Sequence, residues 1–482
     1  MEKKRAISGG AIIAIGQAGT QACGLVRNVI IARFLAPEAF GIATTLALVA
    51  TFLESISYVA ADRLVVQAPD GATPQFLATA HLLQVVRGAI LAVVVFACAW
   101  PLSAFFHGEE YLWAYAAVAL VPLLRGLSHL EINVHQRSLR FGTTVGVEAG
   151  AQAVSVIAAI AIVPFVRSPS ALAIVLIIQA AASCIGSFLV ATTPYRLRWD
   201  PACGRRLTSF GWPVLVNGVL FFLAAEGDRF IIGRAFGPEA LGWYGAAATL
   251  ANAPAAALNR IVTSVGLPLL ATRQDDADGF ARRYAFIAGL GAAVSVALGA
   301  VCLVAAPAII AIVYGRDFAP AAPLLSILAL TQALRMLRVP PTLAALARAD
   351  SINLMLSNVV RVIGFPFAVA AGVLRSPLSV IPGIGAAAEI AAGVVATQLA
   401  WRRHALPRVL IVRPAIVACS CLALAAAASL SLRSTPDWIQ LACGLAAAGC
   451  SVLVVTASVA SLRSEALRLV GAIRRRIVGL VG

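Results

Sequence analysis

Nine arginines stand inside stretches that are otherwise apolar: Arg27, Arg63, Arg87, Arg125, Arg229, Arg260, Arg335, Arg338 and Arg361. A guanidinium carries a planar fork of N–H donors that matches phosphate or carboxylate oxygens. The chemistry these residues suggest is the gripping of an anion away from bulk water. Arg63 and Arg260 fall near one end of their stretches, where a long side chain reaches the interface. Arg87, Arg125, Arg335 and Arg361 fall deep. With Arg27 and Arg229, they are the candidates for a cationic substrate cavity. Carboxylates in the same stretches are fewer: Glu54, Glu131, Glu148, Glu226, Asp228 and Glu389. Each either pairs with an arginine, Asp228 most obviously with one on another helix, or takes a proton or cation that drives transport. Glu54, Glu389 and Asp228 are the ion-coupling candidates. For Glu131 and Glu148, near the inner face, pairing is favoured.

Several chemistries are excluded. Lys3 and Lys4 are the only lysines, so no P-loop lysine exists and the chain is not its own ATPase. The five histidines form no zinc motif, and the nine cysteines lack metal-site spacing. No metal, other cofactor or catalytic residue is expected, coupling to H+ or Na+ aside. Asp276-Ala277-Asp278 resembles a sugar-nucleotide DxD but reads better as a capping turn before Phe280.

The elements that must position these residues follow from composition. Apolar residues fill 61% of 482 positions and charged ones 12%, too little charge for a soluble surface. The apolar residues form fourteen blocks between 8–32 and 437–460, each near the roughly 20 residues a spanning helix needs. Lipid tolerates no open sheet edge, so the blocks are helices. The first block is too long and too polar (Gln17, Gln21, Arg27) for a signal peptide. The net charge of +16 is no nucleic-acid patch. With a cytoplasmic N-terminus, 22 Lys and Arg fall in inner loops and tails and 6 in outer loops, a bias that places both termini in the cytoplasm. Polar residues recur at helical spacing: Gln17, Gln21 and Asn28; Gln332, Arg335, Arg338 and Thr342; Asn353, Ser357 and Arg361. Such stripes line a wet cavity or join helices. Gly142, Gly146 and Gly150 read as a packing stripe, with Glu148 pointing away from it.

A duplication organises the chain. Ile31-Ala32-Arg33-Phe34-Leu35-Ala36-Pro37-Glu38-Ala39-Phe40-Gly41 recurs 201 residues later as Ile232-Gly233-Arg234-Ala235-Phe236-Gly237-Pro238-Glu239-Ala240-Leu241-Gly242. Each copy ends one helix and starts the next, where Pro suits the first turn and Glu the positive end of the dipole. Six helices separate the copies, so the halves run in the same direction, as parallel repeats. The expected fold is an all-α polytopic membrane protein of about fourteen transmembrane helices. Helices one to six form an N-lobe (1–200), seven to twelve a C-lobe (201–404), and two further helices and a basic tail follow (405–482).

The first copy, and Asp228-Arg229-Phe230-Ile231-Ile232-Gly233 with the second copy and Trp243-Tyr244, resemble motifs of the bacterial polysaccharide transporters, the oligosaccharide flippases. Their superfamily also holds the multidrug and toxin extruders and the peptidoglycan-precursor flippases. The resemblance implies translocation of an undecaprenyl-diphosphate-linked oligosaccharide across the bacterial inner membrane by alternating access, for exopolysaccharide or O-antigen export. It implies membrane lipids and the polymerase or export machinery as partners. Among the candidate residues only Asp228 falls on a family motif. Two other functions compete. A cation-coupled small-molecule or multidrug exporter would want more deep carboxylates than arginines. A membrane polymerase or ligase would want a sizeable outer loop, and the outer loops here are short.

Overall fold

The computed structural model describes residues 2–57, 61–138, 140–404, 406–432, 435–459 and 462–464. Its described side chains begin at residue 16 and omit 53, 54, 56, 57, 210–217, 219–221 and 224. Among the described residues there is no strand. The helices are α1 Glu2–Phe34, α2 Pro37–Ser57, α3 Ala61–Gln67, α4 Pro74–Ala97, α5 Ala99–Phe105, α6 Leu112–Ala117, α7 Leu120–Gly126, α8 Glu131–Arg137, α9 Phe141–Ile162, α10 Ser170–Leu189, α11 Pro201–Ala271, α12 Ala277–Val313, α13 Ala321–Ala347, α14 Ile352–Val373, α15 Val380–His404, α16 Arg408–Ser431 and α17 Asp437–Ser458. The chain is an all-helical, multi-pass membrane protein. Among the described residues ten helices are long and apolar enough to span a bilayer, and eleven if the bent pair Glu109–Gly126 and Glu131–Arg137 counts as one span. The count of fourteen is not reached there, and three expected segments account for the difference. The side chains of the first half of 8–32 lie outside the described ones. At 40–65 the apolar helix Pro37–Phe52 is short. The segment 207–233 lies within α11, and part of its side chains fall outside the described ones.

The duplicated turns take different local forms. In the first copy α1 ends at Phe34 and Pro37 starts α2. In the second, α11 is interrupted at Gly237, with φ 86° and ψ 176°. Only glycine adopts that region without a Cβ clash, and the first copy has Ala36 at the matching place. The two turns lie directly on one another. A Cβ on Gly41 would collide with the Pro238 carbonyl and come within 2.9 Å of the Gly242 nitrogen. One on Gly242 would collide with the Pro37 carbonyl and come within 3.2 Å of the Gly41 nitrogen. The repeat glycines therefore serve a reciprocal backbone crossing.

By packing, the chain divides into two compact units, Met1–Ala246 and Ala247–Gly482. The first has a core in which Leu46, Leu91, Val95, Phe106, Tyr115 and Phe222 are buried together, with a 2.5 Å hydrogen bond between the hydroxyls of Thr45 and Tyr115. Phe52 meets Phe222 at 5.0 Å between ring centroids, tying α2 to α11. Among the described residues the expected glycine stripe of α9 is not a packing face: none of their atoms lies within 4 Å of a Cβ at Gly142, Gly146 or Gly150. Instead Gly16 of α1 receives Val145, and Gly186 of α10 receives Val147 at 3.3 Å. Bulk opposite glycine on the neighbouring helices sets how α9 packs.

The second unit is built around α12, whose small residues Ala292, Val296 and Ala300 pack with Ala333, Ala418 and Leu422. Small side chains suit close helix approach where lipid supplies no hydrophobic drive. As the sequence suggested, Asp276 caps α12, accepting from Gly279 N at 2.9 Å, and that bond holds its carboxyl below the usual carboxylate range. Large apolar side chains point outward on both units. Phe165 is 87% exposed and Leu189 81% in the first, Val373 78% and Trp438 71% in the second. In water such exposure would drive association, whereas in a bilayer these side chains face lipid. The nine cysteines are free.

Candidate functional site

In the first unit α4 and α7 cross backbone to backbone at a pair of glycines. A Cβ on Gly88 would lie 2.7 Å from the Pro122 carbonyl oxygen and 2.9 Å from Gly126 Cα. One on Gly126 would lie 2.9 Å from the Gln84 carbonyl oxygen. Gln84 Nε2 fixes the crossing by donating to the Arg125 carbonyl at 2.8 Å. Each glycine follows an arginine, so the crossing brings Arg87 and Arg125 to one cavity of about 500 Å³. Its wall also holds the amides of Gln84, Asn133, Gln136, Gln152 and Gln179, and the carboxylates of Asp62 and Glu148. Arg27 reaches the same wall from α1. Its Nη1 donates to Gln179 Oε1 at 2.6 Å and its Nε to Asn28 Oδ1 at 3.3 Å. Of the six candidate arginines, Arg87 and Arg125 thus line this cavity and Arg27 adjoins it through Gln179.

Arg229 is not part of that wall. It pairs with Glu226 of its own helix at 2.7 Å. The expectation that Asp228 pairs with an arginine of another helix is not met. Its Oδ2 accepts from the Tyr244 hydroxyl and its Oδ1 from the Arg229 backbone N–H at 2.9 Å. The reason lies in the Gly237 break, which folds α11 so that the residue sixteen positions on faces Asp228. The Glu54 side chain lies outside the described residues.

The second unit gathers the remaining candidates. Glu389 of α15, 0% exposed, accepts from Arg338 Nε at 2.7 Å and from Arg335 Nε at 3.4 Å. Arg338 also reaches Ser357 Oγ at 3.3 Å and Asn358 Oδ1 at 3.4 Å on α14. Gln332 accepts from Arg335 at 3.3 Å and donates to Asn252 of α11. Arg361 lies within electrostatic reach of Arg335, Arg338 and Glu389, and its Nε has no hydrogen-bond partner among the described residues. Asn353 donates to the Ala396 carbonyl at 3.0 Å. The polar stripes of α13 and α14 thus join helices through Glu389, while polar residues of the first unit line an open volume. The two units have different electrostatic designs. Arg338 is nearly buried and Arg335 is 32% exposed on its side chain, so Arg335 is the one of the pair able to meet a ligand.

Glu131, read as a pairing residue, is satisfied by threonines. Its carboxylate accepts four hydrogen bonds of 2.5–2.8 Å from the backbone N–H and hydroxyl groups of Thr192 and Thr193. Among the described residues no group of three or more His, Cys, Asp or Glu could hold a metal ion.

A family described as "Polysaccharide biosynthesis protein" matches residues 30–323. The chain belongs to that family. The teichuronic acid biosynthesis protein TuaB of Bacillus subtilis (strain 168) is 28% identical over 289 residues, 58% of this chain and 59% of the relative's own length. Two solved structures share the fold. The lipid II flippase MurJ in an inward closed conformation gives a TM-score of 0.66 at 12% identity, covering 92% of this chain and 98% of that one. An inward-facing multidrug resistance MATE transporter of the MOP superfamily gives 0.63 at 10% identity, covering 81% and 98%. At such identities the likeness shows the fold alone. The family places the chain in polysaccharide biosynthesis.

Sequence reasoning missed the amide lining and the role of Gly88 and Gly126. A signal was present: Arg-Gly stands at 87–88 and 125–126, and a glycine beside a membrane arginine marks a place where helices close in and the charge is placed. The amides come from several helices, and no periodicity on one helix gathers them.

Proposed function

We propose that this chain is a flippase. It carries an undecaprenyl-diphosphate-linked oligosaccharide from the inner to the outer leaflet of the bacterial cytoplasmic membrane, as a step in polysaccharide export. The observation that carries the reading is the cavity of the first unit, where arginines and five side-chain amides share one wall. Guanidinium forks suit a diphosphate. Amides that donate and accept suit sugar hydroxyls. Family membership and the MurJ-like fold support the same reading. In it, the repeats over 1–200 and 201–404 rock by alternating access, with 405–482 appended and both termini cytoplasmic. A proton or Na+ gradient drives the cycle, worth about 2.3 kcal/mol per charge per 100 mV. The chain supplies no bond-making chemistry and passes its cargo to a polymerase or other export machinery.

Asp62 and Glu148 on the same wall favour a second reading, a cation-coupled small-molecule exporter. Proteoliposomes separate the two. With a lipid-diphosphate oligosaccharide in the bilayer and a lectin outside, the protein speeds leaflet exchange over empty vesicles. Efflux of a lipophilic dye cation with no gain in oligosaccharide exchange would select the exporter.

A further inference from the structure

The bent span breaks by 51° between Gly126 and Glu131. Three consecutive backbone N–H groups at the break donate to side chains. His129 N donates to Ser187 Oγ at 2.8 Å, Leu130 N to His81 Nε2 at 3.0 Å, and Glu131 N to His129 Nδ1 at 3.1 Å. Two of the three acceptors are imidazole nitrogens, and such a nitrogen accepts only while it carries no proton. His81 therefore holds its proton on Nδ1. His129 holds its own on Nε2, which faces the Thr193 carbonyl at 3.2 Å. Both rings are neutral in this arrangement. They are buried, with 2% and 1% exposure, and lie 4.7 Å apart. A proton added at His81 Nε2 or His129 Nδ1 sets N–H against N–H and removes the bond that holds the break.

We propose that His81 and His129 are a proton-binding pair that latches this elbow. Proton binding and the latched geometry exclude each other, so uptake of a proton releases the elbow and release of the proton resets it. The groups around the pair suit this role. The Tyr195 ring lies tilted 4.5 Å from His81 and 5.6 Å from His129, centroid to centroid. The Glu131 carboxylate acts electrostatically on both rings and the Arg196 carbonyl on His81. Cys184 of α10 neighbours Tyr195. Arg87 of α4, Arg125 of α7, Asp62 of α3 and Glu148 of α9 line the cavity that His129 also faces. An imidazolium freed from the backbone is thus offered to Glu131. The elbow supplies Leu130, Ile132, Asn133 and Gln136 to the cavity wall, so its release reshapes the volume beside Arg87 and Arg125. This site differs from the deep carboxylates as a place for a coupling proton.

Hydrogen–deuterium exchange on the purified full-length protein tests the latch without any transport substrate, so its failure is separable from failure of the flippase reading. Exchange of peptide 128–137 is compared at about pH 7.5 and about pH 5.5, on either side of the free imidazole value of roughly 6.5, with intrinsic rates corrected. In the wild type, protection falls roughly tenfold at the acid pH while an α4 peptide is unchanged. In His81→Gln/His129→Gln the amide oxygens still accept the N–H groups but take no proton, and protection is equal at both pH values. Equal wild-type protection at the two pH values overturns the latch. So does an unchanged pH response in the double variant. If that variant does not fold, the wild-type comparison decides: loss confined to 128–137 supports the latch, and uniform loss or none overturns it.

Discussion

At the scale of single residues, the arginines fall into two kinds that one experiment distinguishes. Arg338 is almost wholly buried against Glu389. Removing one partner of such a pair leaves a stranded charge, at a cost on the order of 3–5 kcal/mol. Glu389→Ala should lower membrane abundance and thermal stability, and Arg338→Ala should do the same. Arg87→Ala and Arg125→Ala, which change a cavity wall, should keep normal abundance and lose export, with Arg→Lys retaining part of it because charge remains without the fork. If the alanine variants lose abundance and neutralising Glu148 or Asp62 restores it, the cavity arginines are structural. The arginines themselves were legible in the sequence because a charge in an apolar run is costly wherever it stands. Their partners were not. Nothing along the chain links Arg338 to Glu389, fifty-one positions away, or Arg27 to Gln179, and Tyr244 took the place expected of an arginine at Asp228.

At the scale of helices, close approach predicts which glycines tolerate a methyl group. Gly41→Ala and Gly242→Ala force carbonyl oxygens aside, and overpacking of this kind costs about 1–3 kcal/mol. Gly237→Ala adds backbone strain of about 1–3 kcal/mol, because its positive φ with extended ψ is essentially reserved to glycine. Gly142→Ala, Gly146→Ala and Gly150→Ala meet nothing within 4 Å among the described residues. Melting in detergent should drop for the first three variants and stay level for the others; equal melting across both sets would refute the crossing. The helices were read largely from apolar run length, and their breaks were not. The stretch 111–132 reads as one segment, yet it becomes α6, α7 and the start of α8. The donors at its elbow turn to Ser187 and two histidines, which no local pattern announces. The stretch 76–106 likewise divides at Cys98. The glycine stripe of α9 misled because spacing reports a shared face and says nothing about what covers it.

At the scale of the whole molecule, the topology is the clearest reading and rests on charge rather than shape. In a cysteine-free background, Ser376→Cys beside Arg375 should react with an impermeant thiol reagent in intact cells, and Arg402→Cys beside Arg403 should not. Equal labelling would refute the orientation drawn from the 22 to 6 distribution of basic residues. The all-helical class was legible because a bilayer leaves a chain of this composition no other choice. The duplication was legible because the turn kept its register across 201 residues. That same turn bears on inheritance. Two copies of a duplicated segment ordinarily drift apart freely, and here Ala36 and Gly237 have done so. Gly41 and Gly242 touch each other's turn, so a substitution in either copy is judged by the other. A saturation library should show the two positions intolerant together, with a bulky residue at one unrescued by anything at its twin. At this point the two halves of the chain remain answerable to each other, however far their sequences have separated.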